Sequence, residues 1–155
     1  MQKMYRFSPI KDENEFNRVL EYLVGELEEL SRQLLSQKLP INTLKVFAHY
    51  PEEYKFLLNL IQDTGPAAPF NSDDSYYAQV ERQIGHYKIE YIGVRNVDPY
   101  RMQVGCGDYE IANFEEIKAE HADKSEYIRV VEGDMVELWH PDFDILGYVV
   151  PPLSI

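Results

Sequence analysis

The stretch RMQVGCGDYEI, residues 101–111, decides how the whole chain is read. It alternates as a strand does, and it follows a complete strand, helix and hairpin pattern, so it marks the place where that pattern begins again. Within it Met102, Val104 and Cys106 share one parity, whereas Tyr109 and Ile111 occupy the other. The apolar phase changes at Gly107. A β-bulge is the expectation there, because glycine accepts the positive φ that one bulge type requires. On this basis Gly105 and Gly107 serve backbone geometry, and Cys106 is a small buried hydrophobe. A nucleophilic cysteine would need a base within reach, and no local Cys/His signature accompanies it.

The first half of the pattern starts near Thr43. TLKVFAHY, residues 43–50, alternates Leu44, Val46, Ala48 and Tyr50 against Lys45, Phe47 and His49, which predicts a strand. A helix follows in PEEYKFLLNLIQDTG, with Pro51 in its first turn, Tyr54, Leu57, Leu58 and Ile61 on one face, and Gly65 past its end. PAAPFNSDDS, residues 66–75, is a connecting loop long enough to cover something. Residues 76–84 and 86–94 form a hairpin joined at Gly85, and Asp98-Pro99 makes the next turn.

After residues 101–111 the order repeats. Asn113 with Glu116 caps a short helix running to His121, and YIRVV, MVELWH and DILGYVV are three further strands. Turns at Glu132-Gly133-Asp134 and Pro141-Asp142 separate them, and PPLSI is an extended tail. Ahead of both halves lies a helix over residues 12–37, opened by Asp12 with Glu15 and stopped by Pro40. Its Phe16, Leu20, Leu23, Leu27, Leu30 and Leu34 form a heptad seam that docks on the chain's own sheet or pairs with a partner helix. A homodimer stays open on this ground.

The fold class is therefore α+β. Residues 1–42 are an N-terminal helical extension, and residues 43–155 hold paired βαββ(β) modules, 43–100 and 101–150, acting as one domain. The modules form a curled, mainly antiparallel sheet around a cleft. This element order, with EYIGV (90–94) and VELWH (136–140) on late strands of each half, resembles the vicinal oxygen chelate superfamily, the glyoxalase and bleomycin-resistance group. The resemblance implies that the first and last strands of each half contribute to a shared cleft. It also implies a small-molecule ligand, with or without a divalent metal.

Twenty-seven acidic against fifteen basic residues give a formal charge of -12, a field that repels nucleic acid and anionic lipid, so neither is an expected partner. One cysteine forms no internal disulfide, the N-terminus shows no apolar signal core, and no apolar run spans a bilayer, so a cytoplasmic setting is expected.

His86 and Glu90 stand four apart on one strand face and, with His49, make a candidate metal set; Glu137 is the candidate fourth ligand or catalytic base. The competing account of His86 and Glu90 is a solvent-facing strand edge whose Tyr87, Ile89 and Tyr91 face the core. The second half offers no histidine or carboxylate ahead of Asp108, so the metal set is incomplete. Tyr91, Arg95 and Trp139 are the candidate ligand-binding residues, since an aromatic body with a polar tip suits small organic molecules. Three functions stay open: a small-molecule binder of glyoxalase-like architecture without a complete metal site, a divalent-metal-dependent lyase, isomerase or dioxygenase, and an interaction module using the heptad helix.

Overall fold

The structure is a computed structural model, described here for residues 5–132 and 134–152. Gly133 of the expected turn and the last three residues of the expected tail lie outside these. Ten elements follow the anticipated order: α1 (Glu13–Leu35), β1 (Thr43–Phe47), α2 (Pro51–Gln62), β2 (Ser75–Ile84), β3 (Tyr87–Arg95), β4 (Gly105–Glu110), α3 (Phe114–His121), β5 (Ile128–Val131), β6 (Met135–Leu138) and β7 (Ile145–Val150).

The seven strands make one mixed sheet in the order β2-β3-β1-β4-β7-β6-β5. In each half the first strand is innermost and lies parallel to that half's last strand, β1 beside β3 and β4 beside β7. The penultimate strand then returns antiparallel on the outside, β2 on β3 and β6 on β7. The halves meet where β1 and β4 pair antiparallel. Strand order is thus approximately twofold about the β1–β4 seam, with β5 as an added edge strand.

All three helices contribute to one core on one face of this sheet. Asp12 caps α1 by accepting from the Glu15 N–H at 2.8 Å, and Ser36 closes it in a left-handed conformation. The heptad stripe packs inward, with Leu20, Leu23, Leu27 and Leu30 wholly buried against the chain's own strands. Each such leucine removed from water contributes roughly 1.5–3 kcal/mol. The seam is therefore occupied within the chain. α1 lies over β1, β4 and β7, and α2 lies over β2 and β3.

The bulge anticipated at Gly107 is absent, because β4 keeps an unbroken register with both β1 and β7. Neither Gly105 nor Gly107 has a positive φ; Gly85, in the β2–β3 turn, is the glycine that does. The two strand glycines act through close packing instead. A Cβ on Gly105 would overlap the Lys45 carbonyl oxygen, and one on Gly107 would overlap Leu27 Cδ1 of α1. Two places further along the same face, Tyr109 is wholly buried and donates its hydroxyl to the Leu27 carbonyl at 2.5 Å. Its ring lies over Gly147 of β7, where a Cβ would come within 2.6 Å of Tyr109 Cε2. The phase change in GCGDYE is thus small residues under a helix followed by a large one, on a regular strand.

The irregularity lies in the β2–β3 pairing, where Val80 and Glu81 of β2 stand opposite Glu90 of β3. Glu90 N–H and Tyr91 N–H both donate to the Asn42 carbonyl, at 2.8 and 3.3 Å, and the β2–β3 register shifts between Gln79 and Arg82. Two residues opposite one is the geometry of a bulge, and it turns the strand's faces over. Tyr87 and Ile89 accordingly lie on the helix side, with Tyr87 donating to Glu28 Oε1 of α1 at 2.7 Å, as do Ile92 and Val94 beyond the bulge. Tyr91 points to the other face and meets Phe70.

Two alanine substitutions separate these roles. Gly105→Ala should destabilise the fold by roughly 1–3 kcal/mol, because an overlap with backbone has no flexible atom to give way. Gly25→Ala, in the exposed middle of α1 with nothing within 4 Å of the new Cβ, should stabilise by about 0.5–1 kcal/mol. Urea unfolding of both variants checks the pair, and equal effects would remove the packing account of Gly105.

Candidate functional site

The face of the sheet that carries no helix among the described residues is built by the opposite parity of the same strands. Across the β1–β4 seam Lys45 stands opposite Cys106 and Thr43 opposite Asp108. Outward from there Lys45 faces Gly93, which faces Tyr77, while Asp108 faces Tyr148, which faces Glu137. A second, smaller apolar cluster of Phe47, Cys106 and Leu146, with Trp139 and Tyr148 packed against it, floors this face. Above the floor is a cleft of about 490 Å³, bordered by Lys45, Tyr77, Asp108, Glu137 and Tyr148 and closed along one side by Val131 and Met135 of the β5–β6 hairpin.

Gly93 is what lets Tyr77 lie across the sheet, since a Cβ there would overlap the Tyr77 ring. Phe70, from the loop before β2, packs on both Tyr77 and Tyr91, with ring centroids 5.1 and 4.9 Å apart. Asn71 fixes that loop by accepting from the Tyr77 N–H at 2.8 Å. The loop is thus pinned against β2 and buttresses one wall of the cleft.

The polar groups of the cleft differ in how far they are satisfied. Glu137 is engaged at both oxygens, by Arg129 Nε at 2.9 Å and the Tyr148 hydroxyl at 3.1 Å. Lys45 Nζ donates to Ser75 Oγ at 3.2 Å and has no ion pair among the described residues. Asp108's carboxyl and the Tyr77 hydroxyl have no hydrogen-bond partner among the described residues. Asp108 is half-buried on the cleft wall with no donor beside it, and a carboxyl so placed is harder to ionise than one in open water. Burial therefore pushes the Asp108 carboxyl up to about 7, with Glu110 adding to the shift and Lys45 opposing it. Burial likewise raises the Tyr77 and Tyr148 phenols.

Cys106 lies on the cleft floor, 4% exposed. Desolvation pushes its thiol up to about 11 although Lys45, Arg95 and Arg101 all favour the thiolate. Near neutral pH it is a thiol, in keeping with a packing role.

The candidate metal residues take separate places. His49 follows β1, 2% exposed, with the Tyr5 ring stacked on it at 3.9 Å. Its Nδ1 lies 2.6 Å from Ser8 Oγ and its Nε2 lies 3.1 Å from the Gln103 carbonyl oxygen. That carbonyl accepts only, so Nε2 carries the proton and Nδ1 accepts from the serine hydroxyl. Glu53, at the start of α2, accepts from the backbone N–H groups of His49 and Ile10, both at 2.7 Å. The whole group is a buried clasp that ties residues 5–10 to α2. His86 is exposed at the β2–β3 turn, the far end of the nine residues of β3, roughly 30 Å away at about 3.3 Å per residue. Glu90 is exposed beside the β2–β3 bulge. Among the described residues no group of three or more metal-ligating side chains gathers at one point.

The candidate ligand-binding residues all lie on or beside the open face, mostly in packing roles. Arg95 stacks over Phe47 at 5.2 Å, Tyr91 is covered by Phe70, and Trp139 donates its indole N–H to the Glu126 carbonyl at 3.0 Å. Sequence reasoning missed Lys45, Tyr77, Asp108 and Tyr148. The available signal was the parity of TLKVF, which sets Lys45 and Phe47 on the side away from Leu44 and Val46.

No family model matches this chain, and no curated protein matches it. A solved structure described as "Structural Genomics, Protein EC4020" superposes with a TM-score of 0.68 at 12% identity, over 97% of this chain and 93% of that one. At that identity the likeness shows the fold alone. No helix among the described residues is long and apolar enough to cross a membrane.

Asp108 makes stability depend on pH in a definite direction. Its native carboxyl binds the proton more tightly than an unfolded one, so its contribution is complete below about pH 4 and is lost as pH rises towards 7. Asp108→Asn should match the native protein near pH 4 and exceed it near pH 8 by on the order of 2 kcal/mol. Urea unfolding at the two pH values measures this, and an equal difference at both would rule out a desolvated carboxyl.

Proposed function

We propose that this chain is a small-molecule binding domain of glyoxalase-like architecture whose ligand occupies the open-face cleft without a bound metal. The observation that carries this reading is the convergence of Lys45, Tyr77 and Asp108 on one cleft, each holding hydrogen-bonding capacity that no neighbouring side chain uses. Lys45, Tyr77 and Asp108 are each half-buried, so their free hydrogen-bonding capacity faces the cleft, where a ligand or water can meet it. The cleft also lies at the junction of the two halves, with Lys45 from the first strand of one and Asp108 from the first strand of the other on its lining. Its volume, about 490 Å³, is in the range of pockets that hold small organic ligands.

A second reading, a proton-transfer enzyme, is favoured by Asp108, because a carboxyl titrating near 7 is poised to act as general acid or base on a bound substrate. The metal-dependent alternative has less support, since His49, His86 and Glu90 stand apart and Glu137 is held by Arg129 and Tyr148. A cytoplasmic setting and a monomeric or dimeric state both accommodate the binding reading, and nucleic acid does not suit the acidic surface.

Thermal unfolding in the presence of a metabolite library tests the proposal. At least one compound should stabilise the protein, by about 2.7 kcal/mol at a hundred times its dissociation constant. The gain should persist in EDTA and vanish in Val131→Trp, which fills the cleft rim. Stabilisation that survives the rim substitution, or that EDTA abolishes, would refute a metal-free site in this cleft.

A further inference from the structure

The cleft's charges are arranged unlike those of the rest of the chain. The protein as a whole carries a formal charge of -12, yet Lys45 stands in the cleft lining and Arg95 and Arg101 lie near Cys106 outside it, with Asp108 opposing them. None of the three is in an ion pair among the described residues. Arg95 rests on the Phe47 ring, and Lys45 leans on the Tyr77 ring at 5.7 Å. Opposing them on the lining are Asp108, Glu132 and Glu137. Glu137 is neutralised by Arg129, and Glu132 is exposed at the rim. What remains inside is an uncompensated ammonium group next to an unpartnered carboxyl.

Those two groups are near but not bonded. Lys45 opposes Cys106 and Asp108 opposes Thr43, so lysine and aspartate are diagonal neighbours across the β1–β4 seam. The backbones of such positions are roughly 7–8 Å apart, which long side chains can span, and no ion pair joins these two among the described residues. Of the small apolar cluster on this face, Cys106 reaches the cleft lining between the two groups, with Phe47 and Leu146 packed behind it.

Resting on the small-molecule reading above, we propose that the cleft selects a small organic anion, a monocarboxylate whose carboxylate pairs with Lys45 and whose neighbouring oxygen hydrogen-bonds the Asp108 carboxyl. The apolar part of the ligand lies along Tyr77 and Met135. Arg95 and Arg101 contribute the surrounding positive field and do not need to touch the ligand. The groups facing Asp108 are Lys45 on β1, Tyr148 on β7 and Tyr77 on β2, with Cys106 and Glu110 on its own strand and Glu137 beyond Tyr148. Asp108 gains charge as pH rises through about 7 by the causes already given, so binding weakens over that range.

Calorimetric titration of the full chain with straight-chain and phenyl-substituted monocarboxylates, each beside its primary amide and its amine, tests the proposal at pH 6 and pH 8. A carboxylate should bind at least about tenfold more tightly than its amide and amine, a difference of about 1.4 kcal/mol. Affinity should fall roughly three- to tenfold from pH 6 to pH 8, and Asp108→Asn should flatten that dependence. Lys45→Met should abolish carboxylate binding with unchanged circular dichroism, and Lys45→Arg should retain part of it. Amides or amines binding as well as acids, or Lys45→Met binding undiminished, would overturn the anion assignment and leave a ligand cleft standing. Binding by none of the three classes at millimolar concentration would overturn the assignment, and silence across the metabolite library as well would remove the binding reading beneath it.

Discussion

The close seating of α1 on the middle of the sheet is the contact on which the rest of the molecule depends. It is allowed because β4 presents no side chain where the helix crosses, at Gly105 and Gly107, and because Gly147 makes room for the Tyr109 ring alongside. The helix then fills that space with Leu23 and Leu27, and Tyr109 locks the approach by bonding to the helix backbone. Main-chain proximity of this kind tolerates no added methyl group without movement, since interiors are packed close to crystal density. With every helix contributing to a core on that face, the opposite face is left free of helices.

An uncovered sheet face over an apolar floor is an unusual surface for a chain of this size, and its side chains explain why it stays open. Strand alternation places Lys45, Cys106, Asp108 and Tyr148 there as surely as it places Leu44, Val46 and Tyr109 on the helix side. Glycines work on both faces. Gly105 and Gly107 admit the helix, while Gly93 lets Tyr77 fold over and form a wall. The same absence of a side chain thus shapes the core on one side and the cleft on the other. The clasp of Ser8, His49 and Glu53 serves the scaffold, holding the segment before α1 to the start of α2.

Much of the architecture could be read from the chain itself. Asp12 with Glu15, Pro51 and Gly85 fix element ends through local chemistry that does not depend on distant residues, and the leucine spacing of α1 shows its buried stripe directly. The repeat of element order from Thr43 and again from Arg101 emerges as two halves of a single sheet. The glycines of GCGDYE were harder, because a glycine within a strand marks either an irregular backbone or the approach of another element, and only the fold decides which. The bulge that does occur, between β2 and β3 beside Glu90, carries no glycine, and the β3 backbone there turns on the carbonyl of Asn42, a residue far away in sequence. The site residues were obscured for a related reason. Acidic side chains abound in this chain, so Asp108 stood out from twenty-six others only after its neighbours on β1 and β7 were known. His49 looked like chemistry, but its partners lie in the segment before α1 and in the loop before β4, which no local pattern connects.

The central claim is that Asp108 lies desolvated and unpartnered in a cleft between the halves, beside the lysine that opposes its shift. Carbon-detected NMR titration of the Asp108 carboxyl measures this most directly. The account predicts a midpoint near 7, moving higher in Lys45→Met because the lysine favours the ionised form. A midpoint near the ordinary aspartate value of 3.8, unmoved by loss of the lysine, would mean an open, hydrated surface at that position and would contradict the cleft as a built site.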